Sequence, residues 1–141
     1  MTTPMPNEKA AYEAIKNSKE KFGTFHKTCF HIHTPESHDY TLLSQWHDND
    51  YISASAQDIL DICIERNVLP EIITLDSITL DNALSCYYSK KELLSYLLLA
   101  ETIIANEIEV VLVSDLHTVA GIRKLKTAID ELCKIKNHKV Y

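Results

Sequence analysis

The chain has 141 residues, 45% of them apolar and 24% charged, which suffices for one domain with its own core. A net charge of −6 argues against sequence-independent nucleic-acid binding, although Arg123, Lys124 and Lys126 form a local basic cluster. The first twenty residues carry no secretory pattern, the apolar run at 97–100 is too short for a bilayer, and the four cysteines lack CxxC spacing. A cytoplasmic domain with reduced thiols and no membrane partner is therefore expected. Only Gly23 and Gly121 occur, which disfavours a glycine-rich phosphate loop.

In chain order, Asn7 to about Phe22 shows apolar residues at helical spacing, with Gly23 placed to end the helix. Residues 1–23 are taken as an N-terminal helix and 24–141 as the main domain. The latter half of Thr24 to Ile32 reads as the first core strand. A long polar and aromatic loop follows, from His33 to about Ser53. Ser55 and Asp58 read as a capping box for a helix with Ile59, Leu60, Cys63 and Ile64 on its apolar face, ending near Asn67 before Pro70. Ile72 to Leu75 is open between a short strand and irregular structure. Ser89 and Glu92 form a second capping box, opening a largely buried helix from about Lys90 to Asn106, with Lys90 and Lys91 as surface residues. Glu109 to Ser114 is continuously apolar and β-branched, as a buried parallel strand should be. The last helix, Val119 to Lys136, should turn Ile122, Leu125, Ala128, Ile129, Leu132 and Cys133 inward. Helices alternating with buried strands make an α/β fold, in which sites gather at strand carboxyl ends.

Two polar clusters fall at such ends. One is His31-Ile32-His33, in a segment where five of the seven histidines (26, 31, 33, 38 and 47) lie within 22 positions; the other is Asp115 with His117. Imidazoles two apart on a strand lean the same way, and with a nearby carboxylate they form part of a divalent-metal site. His31, His33 and Asp115 together would supply three ligands and leave a position for water. Asp39 reads either as a further ligand or as a turn residue, Asp115 as a ligand or the cap of the next helix, and His117 as a ligand or a loop histidine. Glu36 is either a hydrogen-bond partner of a ligand histidine or a solvated acid, Cys29 packs in the core, and His38 and His47 face solvent.

The string HxHTPxSxDY at 31–40, followed by an apolar strand ending in Ser114-Asp115 and then Thr118-Val119-Ala120-Gly121, resembles the PHP (polymerase and histidinol phosphatase) domain. It looks most like the PHP domains fused to AAA or SMC-type ATPases. The resemblance implies a distorted (β/α) barrel of parallel strands with flanking helices, here partial, corresponding to the N-terminal half. It also implies divalent metals (Zn, Mn or Fe) and phosphoester hydrolysis by metal-activated water. The family's first-motif ligands fall on His31, His33 and Asp39; its second motif matches Ser114, Asp115, Leu116 and His117, where His117 would serve as a ligand only through a shift in loop register. Leu116 stands where the family has a histidine, Cys29 where it commonly has an aspartate, and the later motifs are missing, as in a truncated domain. Two functions follow: a PHP-like metal-dependent phosphoesterase, or a non-catalytic remnant that binds a nucleic-acid-associated ATPase. A half barrel also exposes strand edges and apolar faces, which favours a partner chain or a homo-oligomer.

Overall fold

A computed structural model describes residues 4–17, 26–37, 40–47, 49–115 and 118–136. Its elements are helix α1 (Pro4–Asn17), strand β1 (Thr28–Ile32), a single helical turn α2 (Asp50–Ser53), α3 (Ala56–Glu65), α4 (Lys90–Ala105), β2 (Val110–Val113) and α5 (Ala120–Lys136). The chain is thus α/β: a two-stranded parallel sheet flanked by helices. No helix among the described residues is long and apolar enough to cross a membrane.

Helix α4 organises the core. Ser89 Oγ accepts the Glu92 N–H and starts the helix. The body is then apolar on most faces, with Leu93, Leu94, Tyr96, Leu97, Leu98, Ala100, Ile103 and Ile104 all buried. One side meets Ile59, Leu60 and Cys63 of α3; another meets Leu125, Ala128, Ile129 and Leu132 of α5. Each fully buried leucine contributes roughly 1.5–3 kcal/mol, so this three-helix contact carries much of the stability. The Ser55–Asp58 capping box forms in both directions. The second box forms only half, because Glu92 reaches outward to the Tyr88 N–H and to Lys124.

The structure departs from expectation at several elements. Residues 72–75 form no strand; Thr74 and Ser77 exchange side-chain hydrogen bonds around a 3-10 turn (Leu75–Ser77), and Ile72 is exposed. Strand β2 is only half-buried, with Leu112 on the surface, because a two-stranded sheet leaves faces uncovered that a wider parallel sheet would cover. Ile122 also faces outward, in the first turn of α5. Lys90 and Lys91 are not free surface residues: their ammonium groups donate to the Leu75 carbonyl and to the Tyr51 and Ile52 carbonyls, pinning the preceding loops to α4.

Thr28 pairs with Val110, Cys29 with Val111, and Ile32 with Val113. Three steps on β1 thus match two on β2, so one extra residue is inserted around Phe30 and His31. Such a bulge bends the strand and re-aims side chains, which is why Phe30 and His31 are both exposed at adjacent positions. Past the bulge the strands end together, with Ser114 N–H donating to Ile32 O at 2.8 Å. The two polar clusters therefore leave the sheet side by side.

Candidate metal centre

His31 and His33 converge. Their Nε2 atoms lie 3.1 Å apart, with the rings edge to face and centroids 4.8 Å apart. The other nitrogen of His33, Nδ1, meets Ser37 Oγ at 3.1 Å. Ser37 is buried and its own N–H donates to Thr34 O, so a tight turn sets the hydroxyl that orients the imidazole. With Nδ1–H donating to Ser37, His33 directs the Nε2 lone pair toward His31. Two imidazole nitrogens on one tetrahedral divalent ion stand about 3.3 Å apart at ligand distances of about 2.0–2.1 Å, so this pair fits two ligand positions. A hydrogen-bonded outer partner such as Ser37 is what a ligating histidine requires.

Beside this pair the strand ends are locked together. Asp115 accepts the Thr34 N–H at Oδ1 (2.6 Å) and the Thr34 hydroxyl at Oδ2 (2.5 Å). Thr34 Oγ1 in turn accepts from Tyr96 OH at 3.0 Å and from the Glu36 N–H at 3.3 Å. Burial pushes the Tyr96 phenol well above its usual range, opposed in part by the bond to Thr34, so it stays a neutral donor. Gly121, at the start of α5, sits against this pair: a Cβ there would overlap both Asp115 Oδ2 and Thr34 Oγ1. Its lack of a side chain lets the helix approach the strand ends.

A second buried polar group ties the loop to both long helices. Lys124 of α5 is buried and pairs with Glu36, one residue before Ser37, and with Glu92 in the first turn of α4. Its ammonium also sits 4.2 Å from the centroid of the Tyr88 ring. Burial works to lower the Lys124 pKa, but the hydrogen bonds and charges of the two carboxylates outweigh it, so the net shift is upward. Lys124 therefore leaves the basic cluster expected on this helix, and Glu36 is a paired acid and not a solvated one.

The histidines open onto a cleft of about 440 Å³. Its walls include Leu42, Leu98, Leu99 and the ring of Tyr40; its polar lining adds Thr41, Thr102 and Arg66. No Asp or Glu lines it among the described residues.

Of the sequence-predicted site residues, His31 and His33 come together. Asp115 is held at the neighbouring strand end, with both oxygens engaged by Thr34. It does not join a three-ligand group: no cluster of three His, Cys, Asp or Glu side chains suited to a metal occurs among the described residues. Nor does it cap α5, whose first N–H goes to Thr118 Oγ1. Asp39, His117 and His38 lie outside the described residues. His47 is exposed as expected, and His26 pairs with Glu109 at 2.6 Å at the opposite end of the sheet. Thr34, Ser37, Tyr96, Arg66 and Lys124 were missed as site residues. Thr34 and Ser37 stood within the HTPxS string, whereas Tyr96 and Lys124 look like ordinary helix residues in one dimension.

Comparison with known proteins finds one relative of note, an uncharacterized protein of Streptococcus pneumoniae serotype 4 (strain ATCC BAA-334 / TIGR4), 41% identical over 133 residues. The match covers 94% of this chain and 50% of that protein, so the chain spans about half the length of the curated relative it matches. No family model and no solved structure matches.

Proposed function

We propose that this chain is a metal-dependent phosphoesterase module of the PHP type, in which His31 and His33 hold a divalent ion beside a cleft that seats a phosphoester. One observation carries this: two imidazole Nε2 atoms 3.1 Å apart, one ring already oriented through its other nitrogen by a buried serine. Their place at the carboxyl end of β1, which pairs in parallel with β2, supports it, because α/β folds build sites at such ends. A divalent ion bound there, Zn, Mn or Fe, would polarise a phosphoryl oxygen and make a coordinated water more acidic. The chain's own residues supply the frame. Ser37 holds the His33 ring, the Thr34–Asp115 clamp fixes the strand ends, and Leu42, Leu98 and Leu99 give the substrate a dry wall.

The test uses protein purified without a histidine tag, loaded with Zn²⁺ or Mn²⁺ and desalted. About one ion per chain is expected in the wild type, none in His31→Ala/His33→Ala, with Mn²⁺-dependent hydrolysis of bis(p-nitrophenyl) phosphate lost in His33→Ala. Equal, near-zero metal in both proteins would refute the proposal. A second reading, a non-catalytic binding module for a nucleic-acid-associated ATPase or another copy, is favoured by an apolar groove of about 380 Å³ between β2 and α5, lined by Val111, Val113, Ile122, Leu125 and Ile129. That reading predicts a solution mass above the monomer's and no hydrolysis with any metal.

A further inference from the structure

We infer that Arg66 is the anion-recognising residue of the histidine cleft, and that the cleft takes a small phosphate ester with an apolar or aromatic organic part. This rests on the phosphoesterase reading above and deepens it to a substrate class. The chain carries 20 acidic residues against 14 Lys and Arg, yet none of the acids lines this cleft among the described residues. Its charged or chargeable lining is instead Arg66, His31 and His33. In a protein of net charge −6, a cleft whose one fixed charge is a guanidinium, beside two imidazoles proposed to hold a divalent ion, suits an anion.

Arg66 is placed for such a role. It ends α3, where its N–H donates to Ile62 O, and Asn67 then turns the chain through a left-handed conformation at φ 57°. The backbone that carries the guanidinium is therefore fixed by the helix end and its turn. The guanidinium has neither an ion pair nor a hydrogen bond among the described residues, so its five donors remain for a ligand. A guanidinium fork matches two phosphate oxygens, where an ammonium would act only as a point charge.

The remaining lining sets the rest of the ligand. Leu42, Leu98, Leu99 and the Tyr40 ring form an apolar wall that suits a hydrocarbon or an aromatic ring. A volume of about 440 Å³ falls in the range of small-molecule sites. A polynucleotide would need a track of cations along its backbone, and this cleft offers a single arginine.

The full chain is titrated calorimetrically with phenylphosphonate, a non-hydrolysable probe, and with a ten-nucleotide single-stranded DNA, while p-nitrophenyl phosphate turnover and bound metal are measured in parallel. Arg66→Gln should weaken phenylphosphonate binding by about 10- to 100-fold, the equivalent of one charged hydrogen-bonded contact. KM should rise with little change in kcat, Arg66→Lys should recover part of the loss, and metal content should stay at the wild-type value. Unchanged phenylphosphonate affinity in Arg66→Gln would overturn the inference, as would wild-type protein binding the DNA more tightly than phenylphosphonate. Arg66-dependent phosphonate binding without metal or turnover would instead sink the phosphoesterase reading and leave the anion site standing. Hydrolysis with unaltered KM in Arg66→Gln would do the reverse.

Discussion

Replacing Lys124 by methionine should be among the most damaging single changes in this chain. The lysine side chain is 5% exposed, and its two carboxylate partners, Glu36 and Glu92, are 21% and 14% exposed. Glu92 Oε1 is buried, and the Lys124 ammonium in contact with it is what neutralises it. Removing one member of a buried pair costs about 3–5 kcal/mol, because the remaining charge is left without compensation. Glu36 lies on a loop and is the more exposed acid, so it can turn to water; the expected loss is therefore at the lower end, about 3 kcal/mol. With a urea m-value of about 1.5–2 kcal/mol/M, the midpoint should fall by about 1.5–2 M. Lys124→Met/Glu92→Gln should recover part of the loss, since it also removes the stranded charge. The pH dependence has a definite sign. The Lys124 pKa is raised in the folded state, so its contribution is complete below the unfolded value of about 10.4 and is lost as pH rises through the higher folded value. The gap between wild type and Lys124→Met should be flat from pH 7 to 9 and close above about pH 10.5. A loss under about 1 kcal/mol, the size of a surface pair, would refute the claim that this triad is buried and holds the loop to the helices.

Two further substitutions probe the strand ends. Gly121→Ala should cost about 2 kcal/mol in urea unfolding, within the usual range for overpacking, because the new methyl must displace the Thr34 and Asp115 side chains; a neutral effect would show that α5 does not rest on them. Ser37→Ala removes the serine bond to Nδ1 of His33 and should weaken Zn²⁺ or Mn²⁺ binding by about 10- to 100-fold with little change in fold, measured by competition with a chelating dye; unchanged affinity would deny Ser37 its orienting role.

The helices of the core were legible because their signals are local. Ser55 and Ser89 mark where α3 and α4 start, and Leu93 to Ile104 declare a buried helix by composition alone. Both strands were legible for the same reason, through β-branched runs bounded by polar residues. What stayed hidden depends on pairing. The bulge in β1 exists only relative to β2, so no property of residues 28–32 alone announces it. Ile122 obeys the apolar period of α5 and still faces outward. Lys124 sits in a run of cations and looks solvated until Glu36, 88 positions earlier in the chain, is brought to it. The fate of 72–75 turned on Thr74 and Ser77, whose mutual hydrogen bonds outcompeted a strand that had no partner to pair with.

Asp115 shows how a residue can stand where the sequence places it and engage a neighbour that the sequence does not announce. Its position at a strand end beside two histidines suggests a third ligand, and the strands do emerge together as that reading needs. The carboxylate, however, turns to the backbone and hydroxyl of Thr34, the residue that directly follows His33. That bond fixes the chain at the point from which the imidazole projects. Ser37, three residues on, then fixes the ring itself. Asp115 and Ser37 thus restrain His33 from opposite ends, one through the main chain and one through Nδ1. The cost of holding two imidazoles edge to face falls on this frame and is met during folding. A site preorganised in this way requires the second strand, even though β2 itself contributes no imidazole to the pair.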